Sequence, residues 1–441
     1  MPQLTGAIFN CPPLSSSQRD QLVSNAAASM KCLLINATMS EKNPIDNVVR
    51  NVKTGRHATI RKAHDSVDPQ FEGYMAHTKV RVSIDDVAEF FFLDSPAKSQ
   101  AYSRVMGEVV LDRRTLYTLV ERPIADGASK PLHSVSVEWV MVKMPMKIPA
   151  RDTCFLEFHD EFAFNDHITG EPRRGWARCT HSVSLACCPD LQRSHGVVRM
   201  DLVRSGHVFF ESRERGVLDY YRVTFGSPNG TVMNHFSKLF VNMHIKAASA
   251  SVLNLEEFFI SQRIKPMLDV PVGHFQSKKK IEYCMHCYGR FSWLSSKRQC
   301  RGCGDVTCVK CSCLWALNLT HNKTVKVQLC KECITGDVRS RPSPRHSTAS
   351  NHRSSAYTNA SPKSMSVLSA PYSMSALMSS TRNYTAPGVI TLDADEDDDQ
   401  ATDLQVLSPT HWRDSDGASS AIRDGVLTFQ SDSSSVYLYQ Q

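Results

Sequence analysis

The 441 residues leave room for two or three domains, and the net charge of +7 is modest for that length. The start, MPQLTGAIFNCPPL, has no basic segment followed by an apolar run, and the densest apolar stretch, Phe90-Phe91-Phe92-Leu93, is far too short to span a membrane. The expectation is a soluble, cytoplasmic protein whose 15 cysteines stay reduced, which favours metal binding over disulfides.

In chain order, residues 14–34 place Leu22, Ala26, Met30 and Leu33 on one helical face. Tyr74–Val82 reads as a strand. Ser83 then caps a helix, with Asp86 three residues on and Val87, Phe90 and Phe91 on its apolar face. Short strands follow. Ser134–Trp139 alternates cleanly, while Cys154–Phe158 and Arg178–Ala186 alternate less strictly. Val197–Leu202, His207–Glu211 and Val217–Phe225 complete the set. After Pro228-Asn229-Gly230 the period becomes that of a long helix from Thr231 to about Phe259, with Val232, Phe236, Leu239, Met243, Ala247, Val252, Leu255 and Phe259 on one face. Strands first and a long closing helix predict an α+β domain with a curved antiparallel sheet.

Residues 263–283 are expected to form a basic linker carrying Lys278, Lys279 and Lys280. Four Cys-x-x-Cys pairs come next: Cys284/Cys287, Cys300/Cys303, Cys308/Cys311 and Cys330/Cys333, with gaps of 12, 4 and 18 residues. Two thiolates three residues apart grip one face of a zinc ion, so four pairs complete two tetrahedral sites. Four disulfides or scattered buried thiols would not repeat one spacing four times. Zinc also accounts for folding in about 60 residues, too few to bury much core. Spacing alone allows the pairs to ligate sequentially or crosswise. Cys313 lies outside the pattern, and His286 and His321 read as surface histidines. Between His274 and Thr335 there are eleven Lys or Arg against three acidic residues. After about −2 for each four-thiolate site, a surplus near +4 remains and calls for an anionic partner.

The tail, 336–441, is Ser-rich, with 14 serines between Ser340 and Ser380, and is expected to be largely disordered. It holds an acidic block, Asp393 to Asp399, and three serines before proline (Ser343, Ser361 and Ser408) that suit phosphorylation. Protein partners are expected to meet the chain here.

With the text between its cysteine pairs, the segment 284–335, extending back to about 274, resembles a FYVE-type zinc finger, a two-zinc module that reads phosphatidylinositol 3-phosphate on endosomal membranes. The carrying residues are Phe291, the run Lys297-Arg298-Gln299-Cys300-Arg301-Gly302-Cys303-Gly304, and the remaining cysteine pairs. The resemblance implies crossed ligation: Cys284, Cys287, Cys308 and Cys311 on one zinc, Cys300, Cys303, Cys330 and Cys333 on the other. It also implies headgroup contacts from Lys297, Arg298 and Arg301, and membrane insertion of Trp293 and Leu294. Three motifs depart from the family. The Trp-x-x-Asp window reads Phe275-Gln276-Ser277-Lys278, the basic motif loses both histidines, and Arg-Val-Cys reads Gln328-Leu329-Cys330. Such losses erode selectivity more than attraction.

The order of elements over residues 15–262 resembles a START lipid-binding domain, a helix-grip fold in which a curved antiparallel sheet wraps a long C-terminal helix. It implies one lipid or other apolar ligand, with no cavity residue assigned. No residues are assigned as catalytic, since no nucleophile elbow, phosphate loop or metalloprotease motif is present. His159-Asp160-Glu161 and His167 read as solvated loop residues, and Cys187-Cys188 as buried thiols. The expectation is a non-enzymatic, zinc-binding peripheral protein on endosomal or other intracellular membranes. The alternative is a protein-interaction adaptor or RING-like ubiquitin ligase. Nucleic acid is set aside for want of a recognition helix.

Overall fold

A capping box opens the first helix: Ser15 Oγ accepts from the Gln18 amide at 3.2 Å, and Gln18 Oε1 accepts from the Ser15 amide at 2.9 Å. This helix, α1 (Ser16–Met39), runs longer than the expected 14–34 and buries Ala26, Met30, Leu33, Leu34 and Ala37. The computed structural model describes residues 8–123, 130–144, 148–166, 168–227, 229, 246, 248–269, 275, 277–320, 323–336, 428–432 and 435–439. They divide into two compact units: Met1–Phe259 with Thr385–Gln441, and Ile260–Tyr384.

In the first unit, three strands follow α1: β1 (Asn47–Arg50), β2 (His57–His64) and β3 (Glu72–Val80). Ser83 caps α2 (Ile84–Phe91) as expected, accepting from the Asp86 amide at 3.1 Å. Then come α3 (Pro96–Met106), β4 (Val109–Val120), β5 (Ser134–Lys143), β6 (Arg151–Asn165) and β7 (Pro172–Ser182). The single-turn α4 (Gln192–His195) precedes β8 (Val198–Arg199), β9 (Asp201–Leu202), β10 (Ser205–Glu211) and β11 (Leu218–Ser227). The antiparallel order is β4-β5-β6-β7-β10-β11-β3-β2-β1. Five elements of this unit before the closing helix went unread in the sequence: β1, β2, α3, β4 and the single-turn α4. Register shifts at three places along β4 break the alternation that would have shown it.

Period-two alternation splits the sheet into two faces. Val135, Val137 and Trp139 of β5, with Leu156, Phe158 and Phe162 of β6, join the α1 residues in one core. Trp176, Phe209, Leu218 and Tyr220 look the other way and pack with Phe90, Phe91 and Tyr102 of α2 and α3. Val252 and Leu255 join that second core from a helix spanning Val252–Ile264, which runs past the expected end at Phe259. Most of the residues expected to precede them in the long helix lie outside the described residues. So does most of the tail; its two described strands, β16 (Thr428–Asp432) and β17 (Ser435–Tyr439), pair as a hairpin, and β17 runs parallel to β6. That hairpin was not foreseen.

The second unit is smaller. Two short strands, β12 (Arg298–Gln299) and β13 (Val306–Thr307), pair with each other, and β14 (Ser312–Thr320) pairs with β15 (Lys323–Cys330). Trp315, Leu317, Val327 and Leu329 alternate inward from that hairpin onto Ile260, Ile264, Ile334 and the thiols of Cys300, Cys330 and Cys333. Among the described residues no helix is long and apolar enough to cross a membrane.

Candidate functional site

Both metal sites are built from tight turns. In the first, the Cys284 amide donates to Gly289 O and the Tyr288 amide to Cys284 O, both at 2.9 Å. Tyr288 sits there with φ 55, and Gly304 takes the same place in the Cys300 turn with φ 79. Glycine is required at 304 on space as well as torsion, since a Cβ would lie 2.7 Å from the Phe275 ring. These turns bring Cys284, Cys287, Cys308 and Cys311 into one cluster and Cys300, Cys303, Cys330 and Cys333 into another. Within each, all four sulfurs lie within 4.8 Å of one another. The ligation is therefore crossed, the option that spacing alone left open.

The donor set fits zinc. Four sulfurs at about 2.3 Å from a tetrahedral ion lie about 3.8 Å apart. Cys287 Sγ to Cys308 Sγ is 3.8 Å and Cys303 Sγ to Cys330 Sγ is 3.7 Å, far beyond a disulfide bond. Backbone amides support the thiolates: Cys308 N–H donates to Cys284 Sγ at 3.3 Å and Cys330 N–H to Cys300 Sγ at 3.2 Å. Burial alone would raise the Cys284 thiol, but amides of Cys287, Cys308 and His286 aimed at its sulfur bring it down to about 6. The protein thus carries two four-cysteine sites for two zinc ions, structural in kind because cysteine fills every position.

His286 departs from its expected surface role. Its side chain is largely buried, and Nδ1 lies 3.1 Å from Glu332 Oε1. His321 lies outside the described residues.

Trp293 and Leu294 are 92% and 74% exposed. They occupy the centre of a turn closed by serines: the Ser295 amide donates to Ser292 O at 3.0 Å, and the two hydroxyls lie 2.8 Å apart. Of the three basic residues singled out beside them, Arg298 is exposed. The other two are engaged. Lys297 Nζ donates to Lys278 O at 3.2 Å and Ile281 O at 2.7 Å, over the Phe291 ring. Arg301 donates to Met267 O at 3.1 Å and to Leu268 O, with its guanidinium over Phe275.

The first unit carries a partly open cavity of about 220 Å³. One part of its wall is apolar, from Val140, Val142, Phe155, Val223 and Phe225. The other is polar, from Tyr102, Glu108, Arg113, Arg178, His207 and Arg222. Strand register assembles that polar wall, since His207 on β10 sits opposite Arg178 on β7 and Arg222 on β11. Behind the arginines, Glu157 accepts from Arg113 at 2.6 Å and from Arg178 at 2.9 and 3.2 Å, and meets His159 at 2.7 Å. Arg222 donates to Glu108, to Ala248 O at 2.6 Å and to Ser251 Oγ at 2.8 Å.

Burial would raise Glu157, yet the guanidiniums of Arg113 and Arg178 hold it well below the usual carboxylate range. Burial, and then the charges of Arg222 and Arg178, depress His207 well below its ordinary value, so it is neutral. His159-Asp160-Glu161 is thus not a solvated loop. It lies inside β6, with His159 and Asp160 buried. His167 lies outside the described residues. These polar residues escaped the sequence reading because alternation marks them as the solvent side of each strand. The available signal was charge at facing positions on neighbouring strands.

Residues 274–337 match the family model for the FYVE zinc finger. The first unit has low-identity likeness to solved structures. Human StAR-related lipid transfer protein 5 aligns at 11% identity over 53% of this chain and 96% of that one, with a TM-score of 0.36. Human STARD10 aligns at 11% over 58% and 85%, with 0.31. The human StarD13 (DLC2) lipid transfer and protein localization domain aligns at 10% over 56% and 98%, with 0.30.

Proposed function

We propose that this zinc-binding protein is a peripheral membrane protein. Its FYVE-type module docks on an anionic membrane, and its first unit holds one amphiphilic lipid. The observation that carries the docking is the Ser292–Ser295 turn, which presents Trp293 and Leu294 outward while Trp315, Leu317 and Leu329 of the same module are buried. An exposed aromatic–aliphatic pair on a basic module suits the interface of an anionic bilayer.

Attraction is mainly by charge. Arg298, Arg290, Lys310 and Lys278–Lys280 are exposed, and each basic residue near an anionic surface is worth about 1 kcal/mol. Lys297 and Arg301 spend donors on backbone carbonyls, which weakens their claim to a stereospecific phosphate grip. On this reading the protein works at the cytoplasmic face of endosomal or other intracellular membranes, as a binding protein rather than an enzyme. Tail contacts with other proteins are consistent with it.

Co-sedimentation of the full chain with liposomes differing only in phosphoinositide tests the docking. Similar binding to all anionic liposomes, cut about tenfold or more by Trp293→Ala with Leu294→Ala at unchanged zinc content, is the expected result. Strong preference for the 3-phosphate would replace charge by headgroup recognition. Binding that ignores the double substitution would remove the loop from the mechanism.

In the cavity, the apolar wall suits a lipid chain or ring system and the arginine-rich wall an oxygen-bearing head. Mass analysis of amphiphiles carried by the purified full chain tests this. A stoichiometric lipid lost on Val140→Trp supports it, and none in either protein refutes it.

A further inference from the structure

Most polar groups around the first unit's cavity are already committed to one another. Tyr102 donates to Glu108 Oε2 at 3.2 Å, the Thr180 hydroxyl to Ser205 O at 3.1 Å, and the Ser205 hydroxyl to Phe225 O at 2.7 Å. The guanidiniums are paired as well. Arg113 meets Glu157 at 2.6 Å and Glu138 at 3.3 Å, Arg178 meets Glu157 at 2.9 Å, and Arg222 meets Glu108. In that wall three guanidiniums thus face three carboxylates.

His207 stands apart. It is 4% exposed and lines the same cavity from β10. Its ring lies against Phe91, with centroids 4.3 Å apart, and its Nδ1 is 2.8 Å from the Tyr220 hydroxyl. Tyr220 is fully buried, and among the described residues its phenolic proton has no acceptor but that Nδ1. A neutral imidazole accepts at one nitrogen and donates at the other. Tyr220 therefore donates to Nδ1, and the ring's own proton sits on Nε2. Nε2 has no partner among the described residues. A buried donor without an acceptor weighs against the fold unless something else accepts from it.

We propose that His207 Nε2 anchors the cavity's ligand by donating to one uncharged oxygen, which makes the ligand a lipid alcohol or ketone and not a fatty acid or phospholipid. This rests on the reading of the first unit as the holder of one amphiphilic lipid. A hydroxyl or keto oxygen needs a single donor and brings no charge. A carboxylate or phosphate would enter beside Glu108, Glu138 and Glu157, and could be compensated only by prying an arginine from its partner. Val140, Val142 and Phe155 take the hydrocarbon.

The test offers the full chain three lipids with the same oleyl chain: oleyl alcohol, oleate and oleoyl lysophosphatidylcholine. Binding is read by native mass spectrometry as the component lost on Val140→Trp, which discounts lipid held outside the cavity. The expected result is one oleyl alcohol per chain, held about tenfold or more tighter than either charged-head lipid. His207→Phe keeps a ring on Phe91 and should weaken the alcohol about five- to tenfold, while His207→Gln restores a donor and should recover most of the loss. Should His207→Phe fail to fold, Tyr220→Phe reports in its place. It frees Nδ1 to take the proton and should weaken the alcohol about two- to fivefold. Equal or tighter cavity binding of oleate or lysophosphatidylcholine overturns the proposal and leaves the lipid-holding reading standing. So does alcohol binding unchanged by both His207→Phe and Tyr220→Phe. If Val140→Trp removes no lipid of any head, that reading and this proposal fall together.

Discussion

The broad-sheet unit and the zinc module reach a fixed interior by different routes. In the first, a broad sheet buries apolar side chains on both faces and can therefore tolerate Glu157, Arg113 and Arg178 inside, because many contacts position them at once. In the second, the buried core among the described residues is ten residues, three of which are ligands of the Cys300 cluster. The larger unit uses surplus packing to hold a charged wall against a cavity. The smaller one has no surplus, and its ions do the work of a core.

Removing a ligand is the most severe way to break that comparison. Cys300→Ser should release zinc and unfold the module, since structural zinc supplies about 10–16 kcal/mol in finger peptides. Metal content and amide exchange should show the loss over residues 274–337 only. Full zinc retention with an unchanged melting transition would contradict a metal-built core. In the first unit, Glu157→Gln strips the buried Arg178 guanidinium of its anion and leaves the part-buried Arg113 only Glu138, and should cost about 3–5 kcal/mol, read as a denaturant midpoint shift. A shift below about 1 kcal/mol would mean that water already reaches the pair.

Acid sharpens the contrast. His181 is brought down to about 4, chiefly by burial and then by the Arg204 charge, and its Nδ1 accepts from the Arg204 amide at 3.3 Å. A histidine kept neutral when folded but protonated when unfolded withdraws stability as pH falls below about 6.5, until its folded pKa is passed. His159 and His207 shift the same way. Glu157 acts lower, its contribution present above about 4.3 and lost as pH falls through its folded value. The first unit's melting temperature should thus fall from pH 7 to 5, and His181→Gln should flatten the slope. A pH-independent transition over that range would refute the assignment. The smallest effect distinguishes clamp from attractor: Arg301→Ala should lower module stability by about 1–2 kcal/mol, whereas Arg298→Ala should leave it unchanged and weaken liposome binding.

How much was legible beforehand follows the same divide. The eight ligands could be read because metal chemistry repeats a local spacing, whereas crossed ligation rested on resemblance until the turns were seen. Ser83 and its helix were legible because a cap is local. The charged wall was not, because Arg178, His207 and Arg222 meet only through strand register, a relation no single strand displays. β4 was hidden by its own irregularities, and Trp293 could have been packed or exposed until the Ser292–Ser295 turn showed its direction.

The left-handed Tyr288 makes the two ions unequal in time. A side chain in that region costs about 1–2 kcal/mol relative to the geometry glycine accepts freely, and this ring recovers little by burial at 76% exposure. The same turn carries Cys287, the one exposed ligand, while the partner site has three buried thiols and a glycine turn. A chelator should therefore draw off metal in two kinetic phases, the quick one from the Cys284 cluster. During that interval the half-loaded module would still hold its hydrophobic hairpin in place.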